Sequence, residues 1–254
     1  MRTLLLAGAG VAAWVGSAVA ADIPMKAMPM APPAYSWTGC YIGGNAGNKS
    51  ASTSNGLVTV APTAVTAVST FNNDTSSSTN FGGGQLGCNY QWGSLVLGIE
   101  GDGQGQAYHA TRTVPAAVGV FNPGDVFDYK SDWQASIRGR VGIAYDRLLL
   151  YVTGGGGYTN MQVNTTFVAA PPLPAAFAST SSSLSGATAG GGVEYAFWQN
   201  ASIGLEGRAT WYGSHTFNGG TVAVAGPPFV FSPVNQTFKY TTAEFLARLN
   251  WKFW

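Results

Sequence analysis

Hydrophobic and polar residues alternate with a period of two in several separate stretches of this chain. Between positions 132 and 146, Trp133 and Tyr145 lie on the apolar parity, whereas Arg138 lies on the polar parity. Successive side chains of a β-strand point to opposite sides, so this alternation predicts a strand with one apolar and one polar face.

We predict eight strands of this kind. They span residues 37–47, 81–92, 95–108, 132–146, 148–163, 185–198, 201–213 and 241–254. One or two residues separate the second strand from the third, the fourth from the fifth and the sixth from the seventh, whereas each of the other connections is longer than twenty residues. Tight turns at one end and long loops at the other are typical of antiparallel outer-membrane β-barrels.

The spacing of aromatic residues fits a membrane. Trp133 and Tyr145 are twelve positions apart on the apolar parity. At about 3.3 Å per residue and a tilt of about 40°, they are separated by roughly 30 Å along the membrane normal. The two residues therefore fit the aromatic girdles on either side of an apolar band.

Composition supports lipid as the solvent of much of the surface. Charged residues make up 9% of the chain, against about 25% in an average soluble domain. After the first twenty residues, no stretch approaches the 18 or so uninterrupted apolar residues of a membrane-spanning helix, which excludes a helical membrane protein. A closed β-barrel is the other structure that satisfies its backbone in lipid.

The N-terminus predicts export. Residues 1–20 contain Arg2, an apolar stretch and the small-residue pattern Ala18-Val19-Ala20, which indicates a signal peptide cleaved before Ala21; an uncleaved anchor is the alternative. Residues 21–36 are rich in proline and predict an extended periplasmic linker. Loss of Arg2 leaves 11 basic and 11 acidic residues, so no nucleic-acid partner is indicated.

Charged residues on the polar parities are predicted to face the barrel lumen. They are Glu100, Asp102, Arg138, Arg140, Glu194, Glu206, Arg208, Glu244, Arg248 and Lys252. An eight-stranded barrel is just wide enough for its own side chains to fill it, so these groups either form a paired core or line a narrow water path.

Cys40 and Cys88 lie near the same end of neighbouring predicted strands. A disulfide between them is allowed in the periplasm, and two small buried thiols are the alternative.

Catalytic and cofactor chemistry is not indicated. His109 and His215 are the only histidines. Ser214 next to His215 leaves a lipid-modifying enzyme as a remote alternative, because a third catalytic carboxylate is not visible from spacing. The glycine runs carry no phosphate-loop partner and are predicted to permit curvature inside strands. We predict neither a metal site nor a cofactor.

Three apolar, proline-marked stretches occupy the predicted outer loops, at 113–121, 167–177 and 221–231. Either they extend the strands above the membrane and pack on one another, or they bind a surface ligand, lipopolysaccharide or another barrel.

The stretch GRVGIAYDRLLLYVTGGGGY (139–158), the opening WTGCYIGGNAG and the ending LNWKF together resemble the small outer-membrane immunogenic, porin-like proteins of alphaproteobacteria. The resemblance implies a barrel similar to the OmpA transmembrane domain and OmpX, in the outer membrane of a Gram-negative bacterium. It also implies a C-terminal signal for the barrel-assembly machinery, formed by Phe245, Leu249, Trp251 and Phe253, with Trp254 as an extra residue on the opposite parity.

The sequence supports two main functions. The first is a structural envelope protein that contacts outer-membrane lipid and lipopolysaccharide and presents its loops at the surface. The second is a small porin for ions or small solutes. Fold alone does not decide between them.

Overall fold

The computed structural model of the chain describes residues 35–60, 69–72, 74–117, 121–169, 175–225 and 230–253. The predicted signal peptide, most of the predicted linker and Trp254 lie outside the described residues. None of the described residues forms a helix long and apolar enough to span a membrane. The described strands are β1 (Gly39–Val60), β2 (Ser69–Asn72), β3 (Thr75–Trp92), β4 (Leu95–Thr113), β5 (Val126–Tyr145), β6 (Leu148–Phe167), β7 (Ala176–Ala196), β8 (Ala201–Ala225) and β9 (Val230–Lys252).

Eight long strands close into an antiparallel ring. The order around the ring is β1-β3-β4-β5-β6-β7-β8-β9, and β9 pairs back onto β1. The short β2 pairs with the far end of β1. Closure satisfies the backbone groups where the ring crosses lipid. The prediction of an eight-stranded antiparallel barrel is confirmed.

The barrel has a turn end and a loop end. At the turn end, Gly93–Ser94 joins β3 to β4 and Asp146–Arg147 joins β5 to β6. A four-residue link, 197–200, joins β7 to β8 there. The other connections lie at the loop end. We use "turn half" and "loop half" for the two halves of the barrel next to these ends.

In the turn half, the predicted faces are confirmed. Trp133 and Tyr145 are 42% and 63% exposed on the outside, while Arg138 and Arg140 are buried inside. Apart from Phe177 and Phe245, the exposed aromatic residues among the described residues form two bands. The band toward the loop end, which we call the Trp133 band, consists of Trp133, Tyr158 and Trp211. The band at the turn end consists of Tyr90, Trp92, Tyr145, Tyr195, Phe197, Trp198, Trp251 and Phe253.

In the loop half, the polarity of the two faces is reversed. The interior is an aromatic cluster that includes Tyr108, Phe127, Tyr129 and Phe238, all buried. Outward positions there carry mostly serine, threonine and other polar residues, such as Lys239. The reversal occurs next to the Trp133 band, where the lipid-facing band predicted from the sequence ends. The part of the chain beyond this band is therefore suited to water.

Bulges at the reversal level shift the inward parity of two strands. The pairing is irregular between Lys130 and Gln134 on β5 and between Trp211 and Ser214 on β8. Gly213 has a φ of 75°, a conformation that favours glycine. An extra residue in one strand exchanges its two faces beyond the bulge, so Phe127 faces inward although its parity is opposite to that of Arg138.

The predicted strand ends are too short on the loop side. The sequence places loops at 48–80, 109–131, 164–184 and 214–240, but strands occupy most of the described residues in these ranges. Alternation of apolar and polar residues marks only the part of a strand in lipid. Where the outside becomes polar the signal fades, although the backbone pairing continues.

Above the reversal level the wall divides into two sheets. Pairing between β3 and β4 stops at Phe81↔Gln106, and pairing between β7 and β8 stops at Ala187↔Trp211. Beyond these points, β4 to β7 form the first outer sheet, and β8, β9, β1, β2 and the end of β3 form the second outer sheet. The aromatic cluster packs between the two sheets, for example through Tyr129 and Phe238, whose ring centroids are 5.3 Å apart.

Glycines inside the wall leave room for backbone approach. A Cβ added at Gly83 or Gly155 would collide with a carbonyl oxygen of the neighbouring strand. Both residues lie in runs for which the sequence predicts curvature, and close backbone approach is the physical reason that no side chain fits there.

Cys40 and Cys88 form a disulfide. They are directly opposite each other on β1 and β3, and Cys88 is exposed on the outer face near the turn end. The alternative of two buried thiols is wrong, because the parity of β3 points Cys88 away from the lumen.

We predict that protein denatured without reductant contains no free thiol. The Cys40→Ser/Cys88→Ser variant should still fold, because the ring closes by backbone pairing, but its free energy of unfolding in urea should fall by about 2–4 kcal/mol. The bond closes a loop between residues 48 positions apart and so restricts the unfolded chain. Detection of two free thiols in the unreduced wild-type protein would contradict this prediction.

Candidate functional site

Ten charged side chains are buried inside the turn half of the barrel. Five are carboxylates and five are cations, and each residue is at most 8% exposed. Burial of charge is costly unless the charges are paired. We call these residues the lumen network; they are Lys49, Glu100, Asp102, Arg138, Arg140, Glu194, Glu206, Arg208, Glu244 and Arg248.

A closed ring of four residues forms the centre of the lumen network. Arg138 binds Glu100 at 2.7 Å and also pairs with Glu206. Arg248 binds Glu206 at 2.6 Å and pairs with Glu100. Each carboxylate therefore lies between two arginines. Since Glu100 and Arg138 come from β4 and β5 and the other two from β8 and β9, the ring joins two separate parts of the wall across the lumen.

A second layer lies toward the loop end. Asp102 accepts a hydrogen bond from Ser136 and pairs with Arg208 at 3.0 Å. Arg208 donates to Glu244 at 2.5 Å, and Lys49 lies 3.1 Å from the same carboxylate. Glutamine amides, including those of Gln104, Gln106 and Gln134, surround this layer. These contacts bind the second layer to the central ring through Asp102, which also lies 3.2 Å from Arg138.

A third layer lies toward the turn end. Arg140 pairs with Glu194, which also accepts hydrogen bonds from Ser202 at 2.5 Å and Asn250 at 2.8 Å. The Arg140 guanidinium stacks 3.7 Å from the centre of the Tyr151 ring. Stacking on an aromatic face suits a weakly hydrated guanidinium. Glu194 therefore neutralises Arg140, and the Tyr151 ring covers its guanidinium.

Nine of the ten residues predicted to face the lumen belong to the lumen network, and Lys252 does not. Its Nζ donates to the Ser36 carbonyl oxygen and lies 4.3 Å from the centre of the Tyr35 ring, at the turn end. Parity predicts the face of a residue but not its depth. The assignment of Lys252 to the paired cluster is therefore wrong, because the last residue of β9 reaches only the barrel rim.

Lys49 is the network residue that the sequence prediction misses, because the predicted first strand ends too early. It lies on β1, two positions beyond the end predicted for that strand. Tyr41, Asn45 and Lys49 share one parity, so an extended first strand would have placed Lys49 inside. Lys49 supplies the fifth basic charge in place of Lys252, and the charges of the lumen network therefore balance.

The chain before β1 fills the mouth of the barrel at the turn end. The proline-rich composition assigns Tyr35 to the linker, yet Tyr35 and Trp37 are 5% and 3% exposed. The Tyr35 backbone N–H donates to Asp146 at 3.0 Å, and the Trp37 indole donates to the Asp146 carbonyl oxygen at 3.0 Å. A cavity of about 10 Å³ remains between these rings and Glu194, enough for about one water molecule.

The loop half closes the lumen with apolar side chains. Phe121 stacks on Phe167 with ring centroids 6.5 Å apart, and both pack with Phe127. Phe121 belongs to the stretch 113–121 and Phe167 to 167–177, so these two stretches pack together where they are described. The side chains of 221–231 lie outside the described residues.

The two histidines lie on the loop side, apart from the lumen network. His109 pairs with Asp128 on the outer surface, and Thr111 donates to the same carboxylate at 3.0 Å. Partial burial alone would raise the pKa of Asp128, but the bonds from Thr111 and His109 hold it below its usual value. His215 contacts the Tyr212 carbonyl oxygen at 2.5 Å. Within the described residues, no carboxylate lies at ion-pair distance from His215, and no cluster of three or more His, Cys, Asp and Glu residues could hold a metal.

The described residues predicted for assembly recognition form one outward stripe along the end of β9 and the residue that follows it. Phe245, Leu249, Trp251 and Phe253 are each more than half exposed, at 61%, 54%, 53% and 56%. This stripe faces lipid in the folded barrel.

We predict that Arg138→Ala destabilises the barrel strongly. The substitution leaves Glu100 and Glu206 each with one fewer cation in a buried site, so the free energy of unfolding in urea should fall by about 3–5 kcal/mol. Lys252→Ala is the control at the rim and should cost less than about 1 kcal/mol. The unfolding free energies of both variants are measured by tryptophan fluorescence of barrels refolded in lipid vesicles and titrated with urea. Equal losses in the two variants would contradict the distinction between network and rim.

The chain is similar to known outer-membrane proteins. The chain is 31% identical over 213 residues to the 31 kDa outer-membrane immunogenic proteins of Brucella melitensis biotype 1 and Brucella suis biovar 1, covering 81% of this chain and 85% of each relative. Among solved structures, the outer-membrane protease OmpT of Escherichia coli matches with 11% identity and a TM-score of 0.49, over 87% of this chain and 99% of that chain. Neisserial surface protein A matches with 12% identity and a TM-score of 0.40, over 85% and 98%. A model of the outer membrane protein beta-barrel domain matches residues 5–253, and the chain belongs to that family of outer-membrane proteins.

Proposed function

We propose that this protein is a closed barrel of the outer membrane, with a structural role in the envelope and a surface-exposed loop half. The observation that carries the proposal is the ring of Arg138, Glu100, Arg248 and Glu206, which bridges the lumen. A conducting lumen needs a continuous water path, and this ring crosses it with paired charges.

Two further closures support a non-conducting barrel. Tyr35 and Trp37 occupy the turn end, which we assign to the periplasm, and the aromatic cluster occupies the loop half. A path for ions would open only if the four-residue ring, the Tyr35 and Trp37 side chains and the aromatic cluster were all displaced. A porin function is therefore disfavoured.

The surface role rests on the loop half. Beyond the Trp133 band, the two outer sheets carry polar side chains outside and aromatic side chains inside, which makes a compact projection in water. The Brucella relatives are named as immunogenic outer-membrane proteins, which supports exposure of this projection at the cell surface.

The partners that we propose follow from the surfaces. Lipid and lipopolysaccharide contact the exposed aromatic bands, and the barrel-assembly machinery reads the stripe of Phe245, Leu249, Trp251 and Phe253 during insertion. A surface ligand would bind the loop half. We propose no enzymatic role. Asp128 and Thr111 both contact the Nε2 atom of His109, so this histidine does not link a carboxylate on one ring nitrogen to a nucleophile on the other. His215 contacts the Tyr212 carbonyl oxygen.

We predict that refolded, signal-free protein shows no stable channel openings in planar bilayers, because each of the three closures blocks the lumen. Heat-modified gel mobility of the same sample establishes that it is folded, and a general porin added afterwards shows that the bilayer reports openings. Regular, stable openings from the folded protein would overturn the closed-barrel proposal.

We also predict which residues are accessible on intact cells. Ser78→Cys in the loop half should react with a membrane-impermeant maleimide, whereas Ser94→Cys in a tight turn should react only after permeabilisation. Both serines are exposed, so the difference reports the side of the membrane. Cys40 and Cys88 are bonded and should not interfere. Labelling of Ser94→Cys on intact cells would show that the orientation is reversed.

A further inference from the structure

The disulfide between Cys40 and Cys88 lies on the side of the wall that faces lipid. Cys88 is exposed on the outer face of β3, between Leu86 and Tyr90 at the neighbouring outward positions, and these two residues are each 65% exposed. Tyr90 and Trp92 belong to the aromatic band at the turn end. The disulfide therefore lies just on the hydrocarbon side of that band.

The neighbouring strands give the disulfide apolar surroundings. Cys88 is opposite Cys40 on one side and opposite Ile99 on the other. Ile99 is 57% exposed on the outer face, and Ile42, at the next outward position after Cys40, is 58% exposed. The Phe253 backbone N–H donates to the Cys40 carbonyl oxygen at 3.0 Å, so the chain end after β9 flanks Cys40 on the side away from β3. The open side of the disulfide is therefore the side that meets lipid.

A position in lipid is unsuited to thiol chemistry. Disulfides form and exchange when a thiolate attacks a disulfide sulfur, and the thiolate is the charged form of the cysteine side chain. A charge is costly in hydrocarbon, and proteins that oxidise thiols act from the aqueous phase. A disulfide at this position should therefore form and exchange slowly once lipid covers it.

We propose that a periplasmic protein that carries a reactive disulfide oxidises Cys40 and Cys88 before the barrel enters the membrane, and that lipid then protects the new bond. One cysteine thiolate attacks the disulfide of the oxidant, which forms a mixed disulfide and releases one thiol. The second cysteine thiolate attacks the mixed disulfide and releases the other thiol. The two cysteines lose two electrons and two protons, and the oxidant gains both as its two thiols.

The first hairpin brings the two cysteines together without the rest of the barrel. β1 and β3 pair without interruption from Gly39↔Asn89 to Thr53↔Thr75, and the two cysteines form the second pair of this ladder. A hairpin of two strands is marginally stable in water, and the disulfide stabilises it. The other edge of β1 then pairs with β9, which closes the barrel. In this order, barrel assembly receives a chain whose first hairpin is already fixed.

A second pair of cysteines serves as the matched control. Ser52 and Ser76 are directly opposite each other on the same two strands, and both are exposed in the loop half. They lie twelve positions from Cys40 and Cys88, an even number, so they share the outward face and the type of backbone pairing. The control barrel carries Ser52→Cys and Ser76→Cys together with Cys40→Ser and Cys88→Ser.

Reduction of folded barrels measures the protection by lipid. Oxidised wild-type and control barrels in lipid nanodiscs, which leave both membrane faces open, are treated with a charged, water-soluble phosphine. Maleimide labelling after denaturation counts the free thiols, and heat-modified gel mobility shows that both barrels are folded. The control disulfide should be reduced at least about tenfold faster than the wild-type disulfide, and in urea the two rates should be similar. Equal rates in the folded barrels overturn the proposal.

Oxidation of folded barrels tests the same protection in the other direction. Wild-type and control barrels are refolded in reduced form into nanodiscs and exposed to oxidised glutathione. The control pair should form its disulfide at least about tenfold faster than Cys40 and Cys88, whereas the wild-type chain in urea should oxidise without this delay. Oxidation of Cys40 and Cys88 at the control rate in the folded barrel overturns the proposal.

The order of events is tested in cells depleted of the barrel-assembly machinery. We expect the exported, unassembled chain to contain the Cys40–Cys88 disulfide already, because the periplasm is oxidising and the two cysteines are still in water. Alkylation of free thiols in acid-quenched cells, with and without prior reduction, measures this. Two free thiols in the unassembled chain, together with a disulfide in the assembled barrel, would show that oxidation follows insertion and would overturn the proposal.

Discussion

Charge pairing across the lumen is the constraint on which the barrel depends. The wall of the turn half faces lipid, so a charged side chain inside has no bulk water and must meet an opposite charge. Glu100 and Arg138 from one part of the wall meet Arg248 and Glu206 from another, and this requirement fixes the register of four strands at once. A slip of one residue in any of them would turn a charge toward lipid.

The change of solvent explains why one strand has two opposite patterns. In lipid, the outside of β5 carries Trp133 and Tyr145 and the inside carries arginine. Beyond the Trp133 band the outside meets water, and the inside carries Phe127 and Tyr129. The bulges at this level adjust the faces of β5 and β8 to the new requirement. The same physical rule, that apolar groups avoid water and charges avoid lipid, therefore builds a charged core and an aromatic core in one barrel.

Much of this architecture can be predicted from the sequence, because lipid imposes a strict alternation on membrane strands. Strand number, order, faces and nine residues of the lumen network follow from parity. Depth along a strand does not, which is why parity groups Lys252 with the network. The end of a strand does not either, which is why a first strand predicted to end at residue 47 misses Lys49. The bond between Cys40 and Cys88 depends on a register that residue spacing leaves open. In the loop half, polar residues outside and bulges within obscure the period, so the strands there resemble loops in the sequence.

The split of the loop half follows from the absence of lipid at that level. Closure is obligatory only where unpaired backbone groups would face hydrocarbon, and water satisfies an open edge. The wall is continuous up to Phe81↔Gln106 and Ala187↔Trp211 and divides beyond them. Aromatic packing between the sheets, such as Tyr108 against Tyr240, then holds the halves together in place of strand pairing.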